Sequence, residues 1–172
     1  QEDGYKFLVD VRNGHKTGFY LDQRYNRALV ARYTRNKTVL NCFSYTGAFG
    51  VAALKASAKS VTNIDSSADA LTLAGQHAAL NGLDSKRIEN VEGDVFSVLR
   101  KYRSEGKQFD LVILDPPKFV ESTKHLEKAA RGYKDINMLA FQIIKSNGLL
   151  ITFSCSGLLE ASLFKKIVAD AA

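Results

Sequence analysis

The sequence is poor in three things: proline, cysteine and long apolar runs. No apolar stretch in its 172 residues approaches the roughly 18 residues of a membrane span, so no transmembrane helix is expected. Gln1 onward does not read as a signal peptide. The two cysteines, Cys42 and Cys155, both sit in strand-like runs and lack metal-ligand spacing. That excludes a disulfide framework and a zinc site, and suggests free thiols in a reducing, cytoplasmic compartment with no metal. The only two prolines are adjacent, Pro116-Pro117. There is no repeat, low-complexity tract or internal linker, and the length suits one domain with a real core. Positive charge is in excess: 24 Lys and Arg against 18 Asp and Glu give a net charge of +6, which favours a polyanionic partner. With no initiating methionine and an end inside an apparent helix, Glu160–Ala172, the sequence reads as a piece of a longer protein.

Val39–Gly50 organises the rest. It begins β-prone at Thr38–Phe43, passes through Ser44, Tyr45, Thr46 and Gly47, and becomes helix-like from Ala48. A strand, a tight turn of small residues and a helix start bring a ligand close to backbone N–H groups and to the positive helix end. Gly47 is expected to clear space for that ligand, and Gly50 to allow close helix–sheet packing. Eighteen residues after Gly47, Asp65 ends a second apolar run, Ser60–Ile64. An acid at about that spacing can take the two hydroxyls of a ribose. The order strand, glycine turn, helix, strand, acid therefore suggests an adenosine-type ligand.

Along the chain, Asn13-Gly14 predicts a hairpin between Tyr5–Val11 and Lys16–Leu21. A helix capped by Asp22 is expected over Asp22–Tyr33. This first part carries Lys6, Arg12, Lys16, Arg24, Arg27, Arg32, Arg35 and Lys37 against four acids. Strands are then predicted at Thr38–Phe43, Ser60–Ile64, Ile88–Glu92, Leu111–Leu114 and Leu149–Phe153. Helices are predicted at Ala48–Ala56, Ala68–Leu80, Val95–Arg103, Lys134–Lys145 and Glu160–Ala171. The stripe Ile136, Leu139, Ala140, Ile143 and Ile144 has helical spacing. Asn81-Gly82 and Asn147-Gly148 both read as helix ends that need a left-handed residue. His77 reads as an exposed helical residue. Such alternation predicts an α/β fold, a Rossmann-like doubly wound, mostly parallel sheet with helices on both faces.

Ligands of such a sheet lie beyond the carboxyl ends of the strands. Those positions hold Ser44–Gly47, Asp65, Gly93-Asp94, Asp115–Phe119 and Ser154–Gly157. Asp65 and Asp94 each precede a helix and also suit an N-cap, a role compatible with ligand binding. Asp115 before two prolines is an unusual way to build a loop, because the prolines hold the backbone extended and remove N–H donors. Cys42 reads as a small core residue. Cys155, between two serines at a strand end, reads either as core or as exposed to the cleft.

Asn41–Gly50, Asp65, Gly93-Asp94, Asp115–Phe119 and Phe153–Gly157 together resemble a class I S-adenosylmethionine-dependent methyltransferase. Lys16–Arg24 and Arg131–Asn137 narrow the resemblance to the ribosomal RNA large subunit methyltransferase I family, which makes 5-methylcytosine in 23S rRNA. The resemblance implies S-adenosylmethionine held by Asn41, Phe43, Ser44, Tyr45, Thr46, Gly47, Asp65, Ser66, Gly93, Asp94, Asp115 and Pro116. It implies residues 1–21 as a hairpin remnant of a preceding linking domain. It implies residues 22–172 as a methyltransferase domain that lacks the final strands of the family's sheet.

The same resemblance suggests roles. Carbon 5 of cytosine is a poor nucleophile until a thiolate adds at carbon 6. Cys155 is the candidate for that attack, with Asp115 on the base edge and Lys118 near a phosphate or the thiol. The loop Asp115–Lys118 has no cysteine of its own, so one cysteine must serve. Lys118, Arg131, Lys134 and Arg24 are the RNA-binding candidates, within basic runs Lys6–Lys37 and Lys118, Lys124, Lys128, Arg131, Lys134. Two rivals stay open: methylation of an RNA amino group or ring nitrogen by the Asp-Pro-Pro loop without a nucleophile, and an inactive cofactor- and RNA-binding fragment. A dehydrogenase is disfavoured because the turn lacks the three-glycine fingerprint.

Overall fold

The five predicted apolar runs are strands: β1 Thr38–Cys42, β2 Ser60–Asp65, β3 Ile88–Glu92, β4 Phe109–Leu114 and β5 Ile144–Thr152. A computed structural model describes residues 1–12, 14, 18–119 and 126–172. The strands pair in the order β3-β2-β1-β4-β5, every neighbour parallel. Among the described residues six α-helices accompany them: α1 Arg24–Ala31, α2 Ala48–Lys55, α3 Ala68–Leu80, α4 Val95–Ser104, α5 Leu126–Gln142 and α6 Ala161–Ala169.

β4 shows why the sheet is covered on both faces. Its residues Leu111–Leu114 are all fully buried, as a central parallel strand requires. Side chains alternate across a strand. Leu111 and Ile113 join Val39, Val61, Val30 of α1 and Phe49, Ala53 and Leu54 of α2 in one core. Val112 and Leu114 join Leu40, Leu99 of α4 and Ile136, Leu139 and Ala140 of α5 in the other. The strand order reverses between β1 and β4, and ligands of open α/β sheets bind beyond the carboxyl ends at such a point.

Several expectations are corrected. Among the described residues of 5–21 there is no strand; Asn13 and Lys16 of the predicted hairpin lie outside the described residues. Backbone groups of Lys6 and Leu8 are bonded instead by side chains at the C-terminal end of α3, His77 and the following Asn81. Asn81 accepts the Lys6 N–H at 2.9 Å and donates to the Lys6 carbonyl at 2.7 Å, and His77 Nε2 accepts the Leu8 N–H at 3.0 Å. His77 is therefore wholly buried, where an exposed residue was expected. Asp22 is not an N-cap; it lies in a 3-10 turn, Leu21–Gln23, and Gln23 precedes α1.

α5 begins well before the predicted Lys134 and ends at Gln142, because Ile144 and Lys145 already belong to β5. Asn147-Gly148 sits inside β5, where the pairing with β4 shifts register between Phe109 and Leu111. The left-handed residue expected there exists, Asn147 at φ 61°, but it serves the irregular strand rather than a helix end. Asn81-Gly82 does end α3 as predicted, with Gly82 at φ 63°.

Candidate functional site

The turn after β1 is held in an unusual conformation. Phe43, Tyr45 and Gly47 have φ of 57°, 47° and 72°. Left-handed backbone is uncommon for residues other than glycine, so two such residues in one turn need support. Ser44 N–H donates to the Ile64 carbonyl at 2.9 Å, and the Tyr45 N–H donates to Asp65 Oδ2 at 2.7 Å. The Thr46 carbonyl accepts from His77 Nδ1 at 2.9 Å. A Cβ on Gly47 would meet the Ala74 Cβ at 2.8 Å. Packing against α3, together with positive φ, thus sets a need for glycine there. Gly50 behaves as predicted, since a Cβ there would lie 2.7 Å from Asn63 Oδ1.

Asp65 is more than a helix cap. Ser67 caps α3, accepting the Ala70 N–H, while Asp65 takes the N–H of Ser67 at 3.0 Å and that of Tyr45. Asp94 does cap α4: its Oδ1 accepts both the N–H and the hydroxyl of Ser97. Ser66 and Asp94 are exposed, and Gly93 between the strands is half-buried, donating to the Asp65 carbonyl at 2.9 Å. Ser44 is buried with a hydroxyl that has no hydrogen-bond partner. Asn41 is buried inside β1 and donates to Asn63 Oδ1 at 2.9 Å; Asn63 donates in turn to Asn90 Oδ1 at 2.9 Å. These asparagines are register partners across β1, β2 and β3. Asn41 thus supports the turn from within the sheet. Phe43 packs against the α4–α5 core.

The opposite side of the cleft joins two loops. Asp115 follows β4 and is half-buried, Pro116 is buried, and Pro117 and Lys118 are exposed. Phe119 packs on Tyr133 of α5 at 4.7 Å between ring centroids. After β5, Ser154 donates to the Tyr133 hydroxyl at 3.1 Å. Cys155 is exposed, with Sγ 3.7 Å from the Pro116 carbonyl oxygen. Cys42 is the reverse: fully buried, its thiol pushed up by burial and so held protonated.

Three contributors were missed by the sequence reading. Gln23 Nε2 donates to Asp115 Oδ1 at 2.8 Å. Tyr20 meets Tyr45 edge-on at 5.5 Å, and its phenol is pushed up by burial first, then by Tyr45, Asp115 and Cys155. His77 bonds the Thr46 carbonyl of the turn from α3. None carries a local signal, because each acts on residues distant in sequence.

Of the basic candidates, Lys118, Arg131 and Lys134 are exposed. Arg131 makes an exposed pair with Glu127 at 3.7 Å, and Arg24 pairs with Asp3 at 2.6 Å. Arg27 leaves the basic surface: it is buried, bonded to Glu2 through two nitrogens and stacked over Phe19. Its aliphatic stem falls on the inner face of α1, next to Val30. Lys124 lies outside the described residues. Among the described residues no helix is long and apolar enough to cross a membrane, and no cluster of metal-ligating side chains is found.

Comparison with known proteins agrees with this geometry. A family model described as "S-adenosylmethionine-dependent methyltransferase" matches residues 1–156. The curated "Ribosomal RNA large subunit methyltransferase I" of Aeromonas salmonicida is 62% identical over 172 residues, covering 100% of this chain and 43% of that protein. The protein of the same name from Klebsiella pneumoniae is 56% identical over 171 residues, covering 99% of this chain and 43% of its own length. The chain therefore spans less than half the length of these relatives. A crystal structure of a methyltransferase complexed with SAH superposes with a TM-score of 0.89 at 32% identity, covering 99% of this chain and 45% of that one. A SAM-dependent methyltransferase from Agrobacterium tumefaciens shares the fold, with a TM-score of 0.80 at 22% identity over 99% of this chain and 56% of its own. With a family model matched over nearly all its length, the chain belongs to the S-adenosylmethionine-dependent methyltransferases.

Proposed function

We propose that this chain carries the catalytic centre of an RNA methyltransferase that forms 5-methylcytosine in 23S rRNA, with Cys155 as nucleophile. Residues 1–21 are in this reading the tail of a preceding domain. The observation that carries it is the placement of Cys155: exposed, after β5, with its sulfur facing the carbonyl of the Asp115-Pro116 loop. The names of the relatives support an rRNA substrate. An rRNA substrate and two free thiols support action in the cytoplasm.

The residues fit the cofactor. The partnerless Ser44 hydroxyl, the left-handed turn Phe43–Gly47 and the Asp65 carboxylate form the donor and acceptor set that a charged amino acid and a ribose require. In this reading Ser44–Gly47 hold the methionine part, Asp65 and Ser66 the ribose, and Gly93-Asp94 the adenine side. Asn41 and Phe43 back the turn, and Asp115-Pro116 close the cleft. S-adenosylmethionine supplies an electrophilic methyl group at its sulfonium.

The chain's residues supply the activation. The target cytosine must leave its stack to enter the cleft. The Cys155 thiolate adds to carbon 6, forming a carbon–sulfur bond, and the electron pair of the C5–C6 double bond makes carbon 5 nucleophilic. Asp115 accepts from the exocyclic amine, the acidic-residue contact to cytosine. Lys118 neutralises a phosphate or favours the thiolate. Once carbon 5 is methylated, a base removes its proton, the double bond re-forms and sulfur departs as thiolate. An amine-methylating enzyme would instead present the Pro116 carbonyl to its substrate; here that oxygen faces the Cys155 sulfur.

The test uses RNA containing 5-fluorocytosine, whose fluorine blocks the proton-removal step, so that the adduct accumulates. Intact enzyme and a Cys42→Ala variant should form the adduct, and Cys155→Ala should form none and lose methylation. An adduct or full methylation with Cys155→Ala would bring the amine-methylating reading forward.

A further inference from the structure

Gln23 ends the 3-10 turn that runs straight into α1, and its side chain makes no capping hydrogen bond. It reaches across the cleft instead, and Nε2 donates to Asp115 Oδ1 at 2.8 Å, a contact between residues 92 apart in sequence. Its other end is fixed as well: Oε1 accepts from Asn26 Nδ2 at 2.5 Å. An ionised carboxylate only accepts, so Asp115 draws the Gln23 nitrogen, and the Gln23 oxygen is left to accept from Asn26. Both residues are half-buried. Asn26 lies three positions along and shares the helix face.

We propose that Gln23 is a positioning residue for the reaction: through the relay Asn26–Gln23–Asp115 it sets the rotation of the Asp115 carboxylate. This rests on the reading of Asp115 as the group that meets the target base. Two prolines fix the backbone after Asp115, so what the Gln23 donor acts on is the side-chain torsion. α1 is a firm base for that donor. Val30 packs in the core with Phe49, Ala53 and Leu54, and Arg27 ties the helix to Glu2 and to the Tyr20 carbonyl. Gln23 thus makes the carboxylate's orientation depend on α1 being docked.

Two variants of the intact enzyme test this on rRNA. Gln23→Ser removes the donor. Its melting temperature and cofactor affinity should stay close to those of the wild type, while kcat falls roughly 10- to 100-fold, the scale of a hydrogen bond to a charged group. Gln23→Glu places two carboxylates within one proton's reach. When they share a proton, the glutamic acid donates as the amide did. Activity should therefore survive at low pH and be lost as pH rises through the pair's upper titration step, a limb the wild type lacks. A wild-type kcat in Gln23→Ser, a loss confined to cofactor affinity, or a wild-type pH profile in Gln23→Glu would overturn the proposal. The methylated atom is identified on wild-type product in the same assay. A site other than carbon 5 would overturn the reading of the reaction, whereas the variant-to-wild-type ratio judges Gln23.

Discussion

The Asp65 carboxylate holds the Tyr45 N–H at 2.7 Å and the Ser67 N–H at 3.0 Å, so the acid that ends β2 shapes the turn that follows β1. A purely ribose-binding acid would leave the turn unchanged when removed; this one would not. Asp65→Ala should lose both a cofactor contact and the support of a left-handed residue. Calorimetry should show S-adenosylmethionine binding weakened by at least about 2–3 kcal/mol, the value of hydrogen bonds to a charged group. Unchanged affinity would remove Asp65 from the site.

Where local chemistry dictated structure, the sequence was legible. Ala68–Leu80 and Ile88–Glu92 match the expected bounds, the helix because its Asn-Gly stop is a local signal, although its cap is Ser67 where Asp65 was expected. The boundary between α5 and β5 was not. The apolar spacing runs unbroken through Ile143 and Ile144, although the chain changes from helix to strand between them. Site residues at strand ends, such as Asp65, Asp115 and Cys155, follow from topology and could be listed from the sequence. Gln23 and His77 could not, since their partners are Asp115, Thr46 and Leu8, brought near only by the finished fold.

Asp110 gives a prediction for acid stability. Partial burial pushes its carboxyl up, but the Thr38 N–H and hydroxyl and the Lys145 ammonium outweigh this and bring it down to about 2. A depressed carboxylate stabilises the fold above its unfolded pKa of about 3.9, and that contribution is lost as pH falls towards 2. Asp110→Asn should cost about 1–3 kcal/mol at neutral pH, since Lys145 and Thr38 lose their charged acceptor. Urea denaturation of both proteins should show the gap closing between about pH 4 and pH 2. A gap independent of pH would mean the charge contributes nothing.

The RNA reading predicts a salt dependence. Arg131 and Lys134 are exposed on α5, and the Arg131–Glu127 pair is itself exposed enough to yield to a phosphate. Reversing both to Glu should weaken binding of an rRNA fragment and lower the slope of log affinity against log salt by about 2, one for each phosphate contact. Arg27, bonded to Glu2 inside the fold, is not part of that surface. An unchanged slope in the double variant would exclude α5 from the RNA interface.

His77 gives the last prediction. Its ring is wholly buried, with Nδ1 at 2.9 Å from the Thr46 carbonyl and Nε2 at 3.0 Å from both the N–H and the carbonyl oxygen of Leu8. The Leu8 N–H can only donate, so the tautomer that makes two hydrogen bonds has Nε2 accepting from it and Nδ1–H donating to Thr46, an assignment made from the partners. One side chain thus joins the N-terminal segment to the cofactor turn, and the edge of its ring contacts Phe7 at 5.3 Å. His77→Leu keeps the apolar volume but strands the Thr46 oxygen and the Leu8 N–H. The buried Thr46 oxygen left without a partner costs about 1–3 kcal/mol, so the variant should unfold at lower urea. The effect should also be local at both ends: proteases should cut within residues 1–12 faster, and S-adenosylmethionine should bind several-fold more weakly, because the turn around Thr46 is loosened. Faster cutting with unchanged cofactor affinity would mean that the turn holds its shape without His77, and that Asp65 and the Ile64 carbonyl suffice for it.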